Sequence, residues 1–189
     1  YADRIAEALE IDPARRRWLR RGALLHDMGK LGVSNAVLDK PGKLDADEWA
    51  AVQRHARYTE SILSRIDAFG ELARVSGAHH ERLDGKGYPR GIKGKDMSVQ
   101  ARMMAVADIF EALTACDRPY KVGMTLSKSL DILSNFAKGG HIDPDLFEVF
   151  VQQRVYLKYA KAFLQPNQID QVDEERVLAA ARGASPAHH

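Results

Sequence analysis

Residues 98–115 read SVQARMMAVADIFEALTA, and this stretch decides the fold class. Ser98 offers an oxygen to cap a helix start. Met103, Val106, Ile109, Phe110 and Leu113 then recur at the three- and four-residue spacing of a helix that buries one face. Asp108 stands in the middle of that apolar run. A carboxylate placed there is costly unless it is paired or bound to a metal. The helix therefore predicts both a helical core and a polar centre inside it.

Outward from this element, nearly every segment repeats the helical period. Residues 2–10 carry Ile5, Ala6 and Leu9 at helical spacing. Asp12–Pro13 pairs an N-cap with a proline at the first helical position and predicts a helix through about Met28, with Trp18, Leu24 and Leu25 inward and His26–Asp27 on its last turn. Three glycines and Pro41 make residues 29–44 a loop. Asp45 with Glu48 has the pattern of a capping box opening a helix over 46–64 that carries His55. A helix over 70–80 ends in His79–His80, and Gly85, Gly87, Pro89, Gly91 and Gly94 make 81–97 a loop. Helices over 126–138, from Pro144 to about Leu164, and over 170–182 complete the pattern, with Gly139–Gly140 as a C-cap signal and a disordered tail after them. No strand-like alternation exceeds four residues. The predicted fold is an all-α bundle.

Composition bounds the function. The 189 residues are 45% hydrophobic and 29% charged, which suits a folded globular domain. No apolar run approaches the roughly 18–20 residues of a spanning helix. The single Cys116 excludes an internal disulfide and fits a reducing compartment. A net charge of +2 does not point to a nucleic-acid polymer, and the run Arg15, Arg16, Arg17, Arg20, Arg21 reads as a solvated helix face rather than a phosphate-binding one. The chain opens inside a helical pattern at Tyr1 and reads as a piece of a longer protein.

The side chains able to hold a metal are His26, Asp27, His55, His79, His80 and Asp108, on four predicted helices. Helices of a bundle project such ligands into a shared core site. A lone histidine such as His55 is ordinarily a hydrogen-bonded core residue. The gathering of six such groups is what points to a metal site in the bundle core. Imidazole and carboxylate donors without thiolate suit iron or manganese, with zinc, nickel and cobalt as further candidates. Six ligands exceed the needs of one four-coordinate ion and fit two ions sharing a bridging aspartate.

HDMGK (26–30), the helix histidine within EWAAVQRHARYTESIL (48–63), HHERLDGKGYP (79–89) and VADIFEALTACDRPYK (106–121) together resemble the HD-GYP domain, a branch of the HD phosphohydrolase superfamily. The resemblance runs from residue 1 to about 150. It implies an HD-type helical bundle holding two, or three, divalent ions, with Asp27 bridging and His26, His55, His79, His80 and Asp108 as the other ligands. The family has a further ligand histidine a few residues before the tyrosine that matches Tyr1, and some members add a glutamate for a third metal. Both positions precede these 189 residues. The implied activity is a bacterial phosphodiesterase that hydrolyses cyclic di-GMP to pGpG, with GMP as a further candidate product. Another cyclic dinucleotide and a catalytically silent sensor or interaction module are the alternatives.

On this reading residues 1–165 form the catalytic domain, and 166–189 add a helix and tail. Lys30 offsets charge on a phosphate oxygen. Without the motif, it would read as an ordinary surface lysine at a helix end. The DGKGYP loop shapes the substrate pocket: Gly85 and Gly87 allow close approach, Asp84 holds the turn, Tyr88 stacks and Pro89 stiffens the exit. A tight turn with a packing tyrosine is the plainer account of the same residues. Arg118 and Lys121 are expected to meet the phosphate or guanine. His141 is expected to be structural. The resemblance further implies a cytoplasmic bacterial protein with an upstream sensory or receiver domain, and a homodimer is a further candidate.

Overall fold

The computed structural model describes residues 2–115 and 123–183, and the expected contacts of Arg118 and Lys121, the match at Tyr1 and the tail lie outside them. Among the described residues the chain is helical: α1 Ala2–Ala8, α2 Pro13–Leu25, α3 Asn35–Leu38, α4 Ala46–Leu63, α5 Gly70–Ser76, α6 Val99–Thr114, α7 Leu126–Lys138, α8 Pro144–Gln152, α9 Val155–Phe163 and α10 Glu174–Ala181. The sole pairing of strand type among them is an isolated bridge between Asp84 and Lys93. No helix of the described residues is long and apolar enough to cross a membrane. The all-α expectation holds.

The chain divides into two compact units, residues 13–101 and residues 1–12 with 102–189. In the first, α4 packs on the 3-10 turn Met28–Gly32 and on α5, and α5 packs on α2. Leu19, Ala56, Leu63, Leu72 and Ala73 form its apolar interior. The expected capping box opens α4: Asp45 Oδ1 accepts from Glu48 N at 2.9 Å, and Glu48 Oε2 accepts from Asp45 N at 2.8 Å. On α2, Arg15 stacks on Trp18 at 4.2 Å and pairs with Glu71, while Arg17, Arg20 and Arg21 are exposed, as a solvated face requires.

In the second unit, Phe110 meets Phe150 at 5.1 Å and Tyr159 at 5.9 Å, within a core that includes Leu126, Leu130, Leu133, Ile142 and Phe147. His141 stacks on Phe136 at 4.5 Å, the structural role expected of it. Asp143 caps α8 through Asp145 N and Leu146 N. Asp170 caps α7 from a distance, accepting from Ser127 N at 2.9 Å and from Ser127 Oγ.

That last contact carries a pH-dependent prediction. Burial pushes the Asp170 carboxyl up, but the Ser127 hydrogen bonds outweigh it and hold it below its ordinary value. A depressed folded-state pKa stabilises above the unfolded value and is lost as pH falls through the folded one. Asp170→Asn is expected to lower stability at pH 7 by about 0.5–1 kcal/mol, the low end for an exposed cap. The difference from wild type should begin to shrink as the pH falls below about 4 and be lost as it passes through the depressed folded-state value. Denaturant titrations at pH 7 and pH 3 check it.

Several boundaries depart from the sequence expectation. Helix α2 stops at Leu25, so His26–Asp27 lie just beyond its end rather than on its last turn. Leu24 points to solvent, not inward, and is 79% exposed. The expected loop 29–44 contains the 3-10 turn and α3. Helix α5 ends at Ser76, leaving His79 and His80 in the turn after it. The expected long helix after Pro144 is two helices, broken at Arg154, whose φ of 51° is left-handed. The last helix begins at Glu174, where Asp173 caps it, not at 170.

Candidate metal centre

Three histidines of the first unit make the same local contact. His26 Nδ1 meets Ala23 O at 2.7 Å, His55 Nδ1 meets Val52 O at 2.6 Å, and His79 Nδ1 meets Ser76 O at 2.5 Å. A carbonyl only accepts, so each Nδ1 carries the proton and each Nε2 presents a lone pair. In every case the carbonyl lies three residues back, at the end of a helix or within one, so helical geometry sets the ring's direction. A backbone partner that fixes tautomer and orientation is the usual support of a metal-ligating histidine.

The Nε2 atoms converge. His55 Nε2 and His79 Nε2 are 3.2 Å apart. Asp27 Oδ1 lies 3.4 Å from the first and 3.9 Å from the second, and Asp27 Oδ2 lies 3.5 Å from His26 Nε2. His55 and His79 are buried. The ligating atoms fall into two overlapping trios, His26–Asp27–His79 and His55–His79–His80, each within 4.8 Å.

Two facing lone pairs repel unless a proton or cation lies between them. Atoms bonded to one ion at about 2.1 Å stand roughly 3.0–3.4 Å apart, the spacing of His55 Nε2 from His79 Nε2 and from Asp27 Oδ1. The residues fit a divalent ion.

The electrostatics agree with that chemistry. Burial and the neighbouring His55 push His80 down to about 3, so its ring is neutral at neutral pH. Burial pushes the Asp27 carboxyl up, but His26 and Lys30 outweigh it and hold it below the usual carboxylate range. Asp27 is therefore an ionised oxygen donor beside the neutral ring of His80. Lys30 Nζ donates to Asp27 Oδ2 at 2.5 Å.

The structure thus brings His26, Asp27, His55, His79 and His80 together, with Lys30 beside them. Asp108 belongs to the other unit, half-buried in mid-α6.

The DGKGYP loop adjoins the cluster. The Tyr88 ring lies 4.7 Å from that of His80 and 6.3 Å from that of His55, and Trp49 meets Tyr88 edge-on at 6.4 Å. Asp84 holds the turn, accepting from Lys86 N at 3.0 Å and pairing in a fork with Arg82 at 3.0 and 2.6 Å. Gly85 has a φ of 77°, a left-handed backbone. A Cβ on Gly87 would stand 2.4 Å from Arg82 N and 2.6 Å from His80 O. Gly87 is there because the loop lies against the histidine turn, and Gly85 because its backbone is left-handed. Pro89 follows Tyr88 through a cis peptide bond.

Sequence reasoning missed four positions. Thr59 Oγ1 donates to His26 O at 2.7 Å and accepts from Gly29 N at 2.9 Å, pinning the HD turn to α4. Gly29 lies so close to α4 that a Cβ would fall 1.9 Å from His55 O. Glu81 is buried and accepts from Arg90 N at 2.7 Å and Ile92 N at 3.1 Å, clamping both ends of the loop's return. Trp49, 49% exposed, flanks the tyrosine. That Glu81 follows His80 and that Gly29 lies two residues after Asp27 was visible, but their partners were not.

Glu81→Gln replaces two acceptor oxygens by one. It is expected to cost about 1–3 kcal/mol, the penalty of an unsatisfied buried amide. Faster proteolysis between residues 82 and 94 at unchanged helicity is the measurement.

The family model described as HD domain matches residues 1–146. The chain belongs to the HD-domain family. Its HD, HHE and GYP motifs are those of the HD-GYP branch. Among curated proteins, this HD domain is 56% identical over 147 residues to 3′3′-cGAMP-specific phosphodiesterase 3 of Vibrio cholerae, covering 78% of the chain and 32% of that protein. It is 38% identical over 159 residues to the cyclic di-GMP phosphodiesterase response regulator RpfG of Xanthomonas campestris, covering 82% and 41%. A crystal structure of a cyclic GMP-AMP specific phosphodiesterase of V. cholerae aligns with a TM-score of 0.47 at 45% identity, over 89% of this chain and 36% of that one. The HD domain spans about a third of the length of the curated relatives it matches.

Proposed function

We propose that this chain is a metal-dependent phosphodiesterase of cyclic dinucleotides. The observation that carries the reading is the convergence of Nε2 atoms and an ionised carboxylate, each Nδ1 locked to a backbone carbonyl. Asp27, His26, His55, His79 and His80 would hold two divalent ions, iron or manganese, and Asp108 is proposed as a further ligand on the sequence pattern alone. When bound, such ions supply Lewis acidity toward phosphate oxygens and a more acidic water.

The chain's own residues do the rest. The backbone carbonyls three residues back hold the imidazoles aimed with Nε2 toward the centre, so no rotation of the rings is needed when substrate arrives. Lys30, held by Asp27 in this structure, brings an ammonium group to the edge of the centre, where it offsets charge on a phosphoryl oxygen. Tyr88 and Trp49 give a base a surface to stack on. Arg82 and Glu81 hold the loop that carries Tyr88. Arg118 and Lys121 are proposed to meet the substrate. Residues 1–165 are proposed to carry the activity, downstream of a sensory or receiver domain.

Cyclic di-GMP was the substrate expected from the motifs. The 56% identity to a relative named as cGAMP-specific supports the mixed dinucleotide as the better substrate, beside other relatives named for cyclic di-GMP. Manganese- or iron-loaded protein is expected to open both rings to linear dinucleotides, resolved by chromatography, with 3′3′-cGAMP faster. Binding without cleavage under either metal would make the domain a silent module.

A further inference from the structure

A groove of about 620 Å³ opens at the Asp27 end of the cluster. Asp27 and Lys30 line it together with Leu24, Leu31, Leu38 and Asn35. Its size is within the about 300–1,000 Å³ of small-molecule sites. Leu24 and Leu31 are 79% and 85% exposed. A single exposed leucine needs no explanation, but two on either side of the central carboxylate, in one groove with Leu38, form an apolar seat. Asn35 opens the short helix α3, its side chain exposed.

The cluster's other end differs in kind. There Tyr88 and Trp49 offer aromatic surface beside His80. A cyclic dinucleotide carries two bases on one ribose-phosphate ring, so a phosphate at the centre places a base toward each end. Two unlike seats fit two unlike bases. A flat purine fills an aliphatic groove through its faces, and a carboxamide matches the N6 and N7 edge of adenine, one donor and one acceptor, rather than the two acceptors of guanine.

Resting on the phosphodiesterase reading above, we propose that the Leu24–Leu31–Asn35 groove is the adenine seat of a mixed-purine cyclic dinucleotide, with Asn35 as its specificity-determining residue. The leucines supply affinity for either purine, and Asn35 supplies the preference.

The test measures binding by equilibrium dialysis, using manganese-loaded protein and phosphorothioate analogues of 3′3′-cGAMP, cyclic di-GMP and cyclic di-AMP, which resist cleavage. Asn35→Ala is expected to weaken the adenine-containing analogues about tenfold and to leave cyclic di-GMP within about twofold. Leu24→Ala combined with Leu31→Ala is expected to weaken all three about tenfold. Manganese content, measured alongside, should stay at the wild-type level in every variant. Unchanged affinity in the double leucine variant, or an equal loss for all three analogues with Asn35→Ala, overturns the proposal. If unsubstituted protein binds and cleaves while the variants behave like it, the groove reading fails alone. If unsubstituted protein binds no analogue, the phosphodiesterase reading fails with it.

Discussion

Gly29→Ala is expected to destabilise the first unit by about 3 kcal/mol or more, at the upper end of what overpacking costs. The added methyl would stand 1.9 Å from His55 O, 2.5 Å from Thr59 N and 2.8 Å from His55 C. All three are backbone atoms of α4, so no rotamer change relieves the clash. Either the 3-10 turn lifts off the helix, or α4 bends. Lifting the turn also removes the Gly29 N to Thr59 Oγ1 hydrogen bond and shifts His26 and Asp27 away from His55. Metal content is therefore expected to fall with the unfolding midpoint. Gly70→Ala is the control, since a Cβ there meets nothing within 4 Å, and it should leave stability within about 0.5 kcal/mol. A wild-type midpoint in Gly29→Ala would show that the turn does not press on α4.

Asp27→Asn is expected to reduce hydrolysis on the order of a thousandfold, about 4 kcal/mol of barrier, and to leave the protein folded. The amide keeps the side chain's shape and removes the ionised carboxylate that stands 3.4 and 3.9 Å from two Nε2 atoms. Neutral imidazoles alone bind a divalent ion less tightly than imidazoles with a carboxylate, so metal per chain should drop as well. Asp27 touches Lys30 and is partly exposed, which keeps the structural cost small. Full metal content with full activity in this variant would refute a central role for Asp27. Thr59→Val separates geometry from charge. It removes the hydrogen bonds to His26 O and from Gly29 N but no ligand, and should weaken metal binding about ten- to a hundredfold, with Thr59→Ser restoring it.

The fold was readable because most helices announce themselves locally. The Asp45–Glu48 box, the Asp143–Pro144 start and the 126–138 period all depend on residues within one or two turns, and all three signals fall where expected. The break at Arg154 was not readable, because an arginine in a left-handed conformation has no sequence signal of its own. The neighbouring Tyr156 hydroxyl and the Arg154 side chain both reach Glu174, twenty residues further along, and only folding brings these together. The same distinction runs through the site. Histidines and aspartates could be named from residue type and motif. Thr59 and Gly29 could not, since their importance comes from a contact thirty residues away in the chain. Leu24 misled for a related reason: its period placed it inward, yet it lies on the rim of the groove beside Asp27.

The three Nδ1–carbonyl contacts reach beyond the identity of the ion. Each imidazole is steered by a peptide group of its own helix or helix end, three positions back, and not by a partner recruited from elsewhere. Such a receptacle is assembled by chain folding itself. A chelator should thus strip the protein reversibly, with its helical content retained and reloading as fast as ions arrive.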